Sequence, residues 1–243
     1  MKKIITVFLF TLTIQISSAQ LKLTFPAKDG LTITADWYPV SSDYPVILLC
    51  HQNGHSRGEY TETALRLNKF GFNCLAVDQR VGDEVNGVKN ETAVAAKKKN
   101  LNPGFLDAEQ DIVAALDYLY EKYKRPISIL GSSYSASLAL KIGADNPKVF
   151  SVILFSPGEY FDDKKFVSTH IQTFSKPLFV TSSLEEAETV TDLLKDVNSR
   201  VKIQYVPASR GDHGSKVLWP QSLYNQEYWI AVMSFLNKIK TTD

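Results

Sequence analysis

The sequence predicts an α/β protein in which a mostly parallel twisted sheet carries helices on both faces. Short apolar segments alternate along the chain with segments whose apolar residues recur at helical spacing, and this alternation is typical of βαβ units. Some apolar segments contain no polar position, as in Val46-Ile47-Leu48-Leu49-Cys50, which indicates strands buried on both faces. The turn signal Lys28-Asp29-Gly30 between the first two segments predicts an antiparallel hairpin at the edge of the sheet.

The predicted elements follow one another with short connections. About eight strands are expected from the apolar runs, over residues 21–27, 31–40, 46–50, 72–78, 127–130, 152–155, 178–181 and 201–206. Helices are predicted from apolar residues three and four apart, over residues 58–70, 108–125, 134–144, 187–194 and 229–236. Asp107 with Gln110 predicts a capping box for the second of these helices. Residues 82–104 show no period, which predicts a long solvated loop.

Length and composition agree with one folded domain. The chain has 243 residues, of which 44% are hydrophobic and 22% are charged, and these values are close to globular averages. Disordered, collagen-like and coiled-coil chains are excluded on composition. The formal net charge of +1 gives no basic excess, so we expect no nucleic-acid partner. The oligomeric state stays open.

Residues 1–19 have the pattern of a secretory signal peptide. Lys2 and Lys3 put positive charge at the start, residues 4–14 are apolar apart from threonines, and Ser17-Ser18-Ala19 offers small residues for cleavage after Ala19. The apolar run is too short to span a bilayer. We therefore expect an exported protein, periplasmic or secreted, without stable membrane insertion after cleavage, whose residues 20–243 form one domain.

The two cysteines are expected to remain free thiols. Cys50 ends one predicted strand and Cys74 opens the next, so in neighbouring parallel strands they lie several residues apart along the sheet. At about 3.3 Å per residue this separation exceeds the reach of a disulfide. The four histidines and two cysteines show no ligand spacing, and we therefore predict no metal site.

The segment most indicative of chemistry follows the predicted strand at 127–130. It reads Gly131-Ser132-Ser133-Tyr134-Ser135 and leads into a helix. A nucleophilic serine on a sharp strand-to-helix turn needs small residues two positions before and after it, because the two backbones come close together. Ser133 has small residues at both positions, whereas Ser132 would have Leu130 at the first. Ser133 is therefore the candidate nucleophile, and a serine-rich helix cap is the alternative.

His213 is the candidate general base. It lies in a glycine-flanked loop after the last predicted strand and before the closing helix. A neutral imidazole at this position can accept the proton of a nucleophilic serine. His51 and His55 belong to an early loop, and His170 lies between Gly158 and Pro177, where one further helix is expected, which favours His213. The neighbouring Asp212 is expected to brace its loop.

With these residues the chain resembles an α/β-hydrolase, and in particular the dienelactone hydrolase-like and prolyl-peptidase-like branches of that superfamily. The resemblance covers residues 21–240 and implies the α/β-hydrolase fold with the triad order serine, acid, histidine. Only 18 residues separate Gly158 from Pro177, so we expect no large cap domain. An open site is implied, and its candidate walls are Tyr60, Tyr134, Tyr160, Phe161 and the loop at residues 82–104.

The resemblance also implies an oxyanion hole. The family's oxyanion loop corresponds here to His51-Gln52-Asn53-Gly54, in which Gln52 stands where a glycine is usual. By this resemblance the backbone N–H groups of Asn53 and Tyr134 form the hole. The glutamine leaves open whether Gln52 or Asn53 donates. We expect His51 to bond the loop rather than to take part in catalysis.

The triad acid is expected after the next-to-last strand, where the chain reads Ser182-Ser183-Leu184-Glu185-Glu186-Ala187. The segment holds no aspartate, and the resemblance favours Glu186, with Glu185 as the next choice. Some relatives take the acid after the preceding strand, where Glu159 is available. A first-turn glutamate that complements a helix dipole is the other interpretation of this pair.

The resulting hypothesis is an exported serine hydrolase that cleaves a small-molecule carboxylic ester through a Ser-His-Glu triad and an acyl-enzyme. No cofactor is needed for this chemistry. A peptidase or amidase of the same fold is the enzymatic alternative. A catalytically silent binding protein with this fold is the second alternative, and acyl transfer to an acceptor other than water is the third.

Overall fold

The computed structural model describes residues 20–240, in which eight strands form one sheet. In chain order the strands are β1 (Leu21–Pro26), β2 (Thr32–Tyr38), β3 (Val46–Cys50), β4 (Asn73–Val77), β5 (Ile127–Ser132), β6 (Val149–Phe155), β7 (Leu178–Thr181) and β8 (Lys202–Tyr205). Their order across the sheet is β1-β2-β4-β3-β5-β6-β7-β8. The pairs β1–β2 and β2–β4 are antiparallel and all others are parallel. The predicted α/β fold with an edge hairpin is confirmed, and the predicted signal peptide lies outside the described residues.

Seven α-helices cover the two faces of this sheet in the described range. They are α1 (Thr61–Lys69), α2 (Glu91–Lys98), α3 (Glu109–Tyr123), α4 (Tyr134–Asp145), α5 (Phe166–His170), α6 (Ala187–Leu193) and α7 (Asn225–Lys240). α1 and α7 pack on one face, and the other helices contribute to the core on the opposite face. α5 is the helix that stands where a cap domain would be inserted, between β6 and β7.

The central strands have unbroken apolar runs because they lie between two hydrophobic cores. In β3, Val46, Leu48 and Cys50 belong to one core, whereas Ile47 and Leu49 belong to the other. Successive side chains of a strand point to opposite faces, so a strand covered on both sides needs an apolar residue at every position. Each such buried aliphatic side chain contributes about 1.5–3 kcal/mol to folding.

Two predictions between β4 and β5 were wrong. The segment 82–104 contains α2, which begins after Asn90, whose side chain accepts the Ala93 N–H at 2.7 Å. Because α2 spans only eight residues rich in alanine and lysine, it gives little apolar period. The predicted capping box of α3 is also absent. The N-cap of α3 is Ala108 without a side-chain bond, and Asp107 instead accepts the Asn102 amide at 2.7 Å.

Two buried arginines fix the loops at the carboxyl end of the sheet. The Arg57 guanidinium bonds Asp78 at 2.6 Å and also lies 3.0 Å from Asp36. The Arg80 guanidinium bonds Asp111 at 2.7 Å. Buried charges of this kind are retained only when they are paired. The Arg57 network anchors the 3₁₀ turn before α1, since Asp78 also accepts the Arg57 N–H at 2.7 Å.

Strand register keeps the two cysteines apart. Cys50 lies opposite Val77 and Cys74 lies opposite Ile47 in the parallel β3–β4 pair, so the cysteines are three positions out of register. Both are free and buried, and burial raises the pKa of both thiols. None of the helices within residues 20–240 is long and apolar enough to cross a membrane.

Candidate active site

Ser133 lies on a sharp turn between β5 and α4. Its backbone has φ 58° and ψ −126°, a positive φ that a residue with a side chain rarely adopts. A Cβ at Gly131 would lie 2.6 Å from both the Ala136 Cα and the Ser135 carbonyl oxygen. Only glycine therefore fits two positions before Ser133. The turn lifts the Ser133 side chain to the N-terminal end of α4, where negative charge is stabilised.

Ser135 lies two positions after Ser133, where the turn usually has a second glycine, and its side chain does not crowd the turn. Its hydroxyl donates to the His51 carbonyl at 2.6 Å and accepts from the Gln79 amide at 2.5 Å. These bonds join the first turn of α4 to the loop after β3, residues 51–56, called here the β3 loop. A serine at this position therefore adds a contact that glycine could not make.

The structure brings Ser133, His213 and Glu186 into one hydrogen-bonded chain. The His213 Nε2 lies 2.9 Å from the Ser133 Oγ, and the His213 Nδ1 lies 2.5 Å from the Glu186 Oε1. A carboxylate at Nδ1 favours the tautomer that carries its proton there, which leaves Nε2 free to accept the serine proton. The His213 side chain is 38% exposed, so the chain of bonds is open to small molecules from solvent.

Glu186 is held as an ionised acceptor. Its Oε2 accepts the Ser156 hydroxyl at 2.8 Å, the Ser183 hydroxyl at 2.9 Å and the Ser183 N–H at 3.1 Å. Burial alone would raise the pKa of this carboxyl, but the bonds from His213 and Ser156 outweigh burial and lower the pKa to about 2. Glu186 is therefore charged at neutral pH and oriented toward His213.

Ser156 connects the parts that carry the acid and the base, and sequence analysis missed it. It follows β6 with φ 51°, and its hydroxyl accepts the Gly214 N–H at 3.0 Å while donating to Glu186. The segment Ser156-Pro157-Gly158 was visible as a strand end. Only the positive φ distinguishes Ser156 in this segment, and a backbone angle cannot be read from the residue types.

The other acids considered from the sequence make different contacts. The Glu185 side chain is 76% exposed and lies 3.8 Å from Arg210. The Glu159 carboxylate accepts the Val167 and Ser168 N–H groups at 2.7 and 2.8 Å, so it caps α5. Neither is hydrogen-bonded to His213. Asp212 accepts the Ser222 hydroxyl at 3.3 Å, which braces its loop as expected.

The two candidate oxyanion donors differ in their surroundings. Tyr134 is the first residue of α4, so its N–H has no acceptor within the helix. In the β3 loop the Gln52 N–H donates to the Glu59 Oε2 at 2.9 Å. It is therefore not available as a donor to the oxyanion. Asn53 is exposed in the turn that follows, and within residues 20–240 its N–H has no hydrogen-bond partner.

His51 makes the structural contacts expected of it. It is fully buried, its Nδ1 bonds the Gln52 carbonyl at 2.8 Å, and its Nε2 accepts the Gln79 N–H at 3.1 Å. Burial lowers the pKa of this imidazole, so the ring is neutral. These bonds fix the β3 loop against the segment after β4.

Of the four aromatic residues expected as site walls, three belong to the core instead. Tyr60, Tyr134 and Phe161 are buried, because their rings fill space between sheet and helices. Tyr160 alone lies beside the site, with its ring edge-on to His213 at 6.5 Å. Its hydroxyl donates to the Ser156 carbonyl at 2.8 Å.

No metal-binding arrangement is present in the described part of the chain. Residues 20–240 contain no group of three or more His, Cys, Asp or Glu side chains that could hold a metal ion. The side chains that converge at Ser133 are instead suited to proton transfer, because an imidazole bridges a hydroxyl and a carboxylate.

An eight-stranded sheet of this order with a serine on the turn after β5 defines the chain as an α/β-hydrolase. The chain belongs to the serine aminopeptidase S33 family, whose model matches residues 42–216. A comparison with curated proteins found no match.

Solved structures with the same fold include enzymes of several names. The esterase Pf2001 of Pyrococcus furiosus is 19% identical, with a TM-score of 0.65 over 96% of this chain and 95% of its own. The dienelactone hydrolase of Anabaena variabilis is 15% identical, with a TM-score of 0.68 over 89% and 95%. The acylaminoacyl peptidase of Pyrococcus horikoshii is 16% identical, with a TM-score of 0.67 over 90% of this chain but only 41% of its own.

Proposed function

We propose that the protein is a serine hydrolase that cleaves carboxylic esters of small molecules. Ser133 is the nucleophile, His213 the general base and Glu186 the acid that orients it. The observation that carries the proposal is the hydrogen-bonded chain from Ser133 through His213 to Glu186, which starts on a strained turn. Strain of this kind persists where the surrounding structure imposes it, often at functional sites.

The proposed reaction has two steps, formation of the acyl-enzyme and its hydrolysis. The Ser133 Oγ attacks the ester carbonyl while its proton passes to the His213 Nε2, and Glu186 stabilises the imidazolium that forms. The N–H groups of Asn53 and Tyr134 stabilise the oxyanion. The tetrahedral intermediate expels the alcohol, which takes the proton from His213. Water then attacks the acyl-enzyme by the same route and releases the carboxylic acid.

An ester of a small molecule fits the surroundings of Ser133. α5 is the one helix between β6 and β7 in the described chain, so the site has no cap domain to enclose a long acyl chain. The net charge is near zero, which gives no steering of strongly charged substrates. The fold itself does not fix the substrate, and the similarity to an esterase adds support at the level of fold.

A peptidase or amidase activity is the second candidate, favoured by the description of the family. An aminopeptidase also needs an acceptor for the substrate ammonium group near its nucleophile. The Glu186 oxygens are occupied by Ser156, Ser183 and His213, so this carboxylate has no capacity for a further donor. Aminoacyl nitroanilides tested beside nitrophenyl esters separate the two activities.

We further propose that residues 1–19 direct export and that residues 20–243 act as one domain in the periplasm or outside the cell. The charged start, apolar run and small residues before position 20 support this. Expression of the full chain in a Gram-negative host, followed by intact mass measurement, tests it. A mass corresponding to residues 20–243 is expected, and an uncleaved chain in the cytoplasm contradicts it.

The central test is hydrolysis of a short-chain nitrophenyl ester by the purified chain and by Ser133→Ala. We expect kcat to fall by about 10⁶-fold, because the nucleophile of a triad is lost. A fluorophosphonate should label the wild type at Ser133 and leave the variant unlabelled. Ser168→Ala, in α5, is the matched control and should retain wild-type activity. Equal turnover and no labelling would instead favour a silent binding protein.

A further inference from the structure

Glu59 is a buried carboxylate that the proposed chemistry does not use. It lies in the 3₁₀ turn Arg57–Tyr60 before α1, and its side chain is fully inaccessible to solvent. An ionised carboxylate in such a place costs several kcal/mol unless donors surround it. An apolar residue would pack there at lower cost. The glutamate at this position therefore indicates a role beyond packing.

The contacts of Glu59 join two loops that meet at Ser133. Its Oε2 accepts the Gln52 N–H at 2.9 Å and lies 2.9 Å from the His55 Nδ1, both in the β3 loop. Its Oε1 accepts the hydroxyl of Ser215, two residues after His213 in the histidine loop, defined as residues 206–224. The Glu59 carbonyl also accepts the Trp219 indole N–H at 2.8 Å.

These donors keep Glu59 ionised. Burial would raise the pKa of its carboxyl, but the bond and charge of His55, with the bonds from Ser215 and Gln52, leave the pKa below its ordinary value. A charged acceptor makes stronger hydrogen bonds than a neutral one, and at a buried position these bonds restrict both loops.

The bond between Glu59 and the Gln52 N–H matters because the next peptide, Gln52–Asn53, carries the proposed oxyanion donor, the Asn53 N–H. The Gln52 carbonyl is held from one side by the His51 Nδ1 at 2.8 Å and the His55 N–H at 3.3 Å. The N–H of a trans peptide points away from its carbonyl, so these bonds direct the Asn53 N–H to the opposite side. Glu59 restrains the peptide before it through the Gln52 N–H. Gln52 is therefore held at both of its peptides, by Glu59 on one side and by His51 and His55 on the other.

We propose that Glu59 is a positioning residue that sets the Asn53 N–H of the oxyanion hole relative to His213, by bonding the β3 loop and the histidine loop at once. The proposal rests on the hydrolase function proposed above. Glu59 touches neither substrate nor Ser133 in this role and acts through Gln52 and Ser215.

Two variants of similar volume separate positioning from space filling. Glu59→Gln keeps a carbonyl oxygen for the Gln52 N–H, whereas Glu59→Leu keeps the volume and removes every acceptor. We expect Glu59→Leu to lower kcat for a nitrophenyl ester by about 10²-fold, as for a misplaced oxyanion donor, with KM within about two-fold of wild type. Glu59→Gln should retain kcat within about ten-fold. Glu62→Leu, on the exposed side of α1, is the control and should match wild type.

Two further readouts distinguish this role from general destabilisation. Active sites are counted by fluorophosphonate labelling to completion, and kcat is expressed per labelled site. A trifluoromethyl ketone, which forms a tetrahedral oxyanion on Ser133, should bind Glu59→Leu more weakly by the same factor as kcat/KM falls. If Glu59→Leu does not fold, Ser215→Ala removes the bond from the histidine loop to the Glu59 side chain, together with the bond from Ser215 to the Tyr60 hydroxyl, and a loss of about five-fold in kcat per site is expected.

The outcomes are distinct. Equal kcat per labelled site in wild type, Glu59→Leu and Ser215→Ala overturns the positioning role and leaves the hydrolase function intact. Equal losses in Glu59→Leu and Glu59→Gln also overturn it, because the acceptor would then be irrelevant. Wild-type protein that neither hydrolyses esters nor reacts with the fluorophosphonate overturns the proposed function itself, and the positioning role with it.

Discussion

Two glutamate–histidine pairs lie near the carboxyl ends of the central strands, and they differ in what the histidine faces. Glu186 contacts the His213 Nδ1 at 2.5 Å, and Glu59 contacts the His55 Nδ1 at 2.9 Å. Each carboxylate also accepts a backbone N–H and a serine hydroxyl. By their acid alone the two pairs would be hard to tell apart.

The far nitrogen of each imidazole shows the difference. The His213 Nε2 meets the Ser133 hydroxyl at 2.9 Å, on a turn of positive φ. The His55 Nε2 lies 3.4 Å from the Gln52 amide, and its ring stacks on Trp219 at 5.9 Å. A carboxylate–imidazole pair is therefore suited to nucleophilic chemistry only where a strained hydroxyl completes it. The other pair is suited to holding loops together.

Replacing the histidine of each pair by glutamine gives the largest predicted contrast in kcat. His213→Gln removes the proposed base, and we expect kcat for a nitrophenyl ester to fall by about 10⁴–10⁶-fold. His55→Gln weakens only the surroundings of Glu59, and a loss of about ten-fold or less is expected. Steady-state kinetics on both variants measures the ratio. Comparable losses would mean that the two pairs do not differ as their far nitrogens indicate.

The acids give the next largest effect. Glu186→Gln keeps the volume but favours the wrong imidazole tautomer, so we expect kcat to fall by about 10⁴-fold. Glu185→Gln changes an adjacent side chain that is 76% exposed, and its kcat should equal that of wild type. Fluorophosphonate labelling of both variants checks that Ser133 is still accessible. A larger loss in Glu185→Gln would reverse the assignment of the acid.

The Glu186 pair should also contribute to stability in a defined pH window. The pKa of this carboxyl falls from 4.5 to about 2 on folding. A lowered pKa means that the ionised form stabilises the fold, so the contribution is complete above about pH 5 and disappears as pH falls toward 2.

Urea unfolding of wild type and Glu186→Gln at several pH values between about 2 and 6 isolates this contribution. The difference in unfolding free energy between the two proteins should shrink with acid, since glutamine does not titrate. Other carboxylates titrate in both proteins alike and cancel in the difference. A difference that stays constant across this range would contradict the pKa shift of Glu186.

The sequence predicts the fold well because the fold depends on patterns within short segments. An unbroken apolar run identified β3, and the small neighbours of Ser133 identified its turn, since both features are local. The helix α2 was missed because eight residues with alanine and lysine give no clear period. Its stability comes from tertiary contacts, such as the Thr92 hydroxyl accepting the Thr34 N–H at 2.9 Å.

The residues of the site that sequence reasoning missed are those that act between distant segments. Glu59 is one of 26 acidic residues, and it contacts Ser215, 156 positions further along the chain. Ser156 similarly bridges Glu186 and Gly214. Nothing in their own segments marks these residues, because their importance arises only when the sheet brings three loops to one edge.

The aromatic neighbour of each histidine gives the smallest predicted contrast. Trp219 stacks nearly flat on His55, at 18°, whereas Tyr160 meets His213 edge-on, at 87°. The Tyr160 hydroxyl donates to the Ser156 carbonyl at 2.8 Å, so it supports the residue that binds Glu186. Tyr160→Phe keeps the ring and removes this bond. One such bond contributes about 1 kcal/mol, so we expect kcat to fall by about five-fold with KM unchanged.

Trp219→Phe is the matched variant at the other pair, because it keeps an aromatic ring but removes the indole N–H that donates to the Glu59 carbonyl at 2.8 Å. That bond supports a loop and not the proposed acid. Trp219→Phe should therefore lower the free energy of unfolding by about 1 kcal/mol while changing kcat by less than Tyr160→Phe does. Kinetics and urea unfolding of both variants provide the comparison. If Tyr160→Phe lost only stability and Trp219→Phe lost only kcat, the division between a catalytic and a structural pair would have to be reversed.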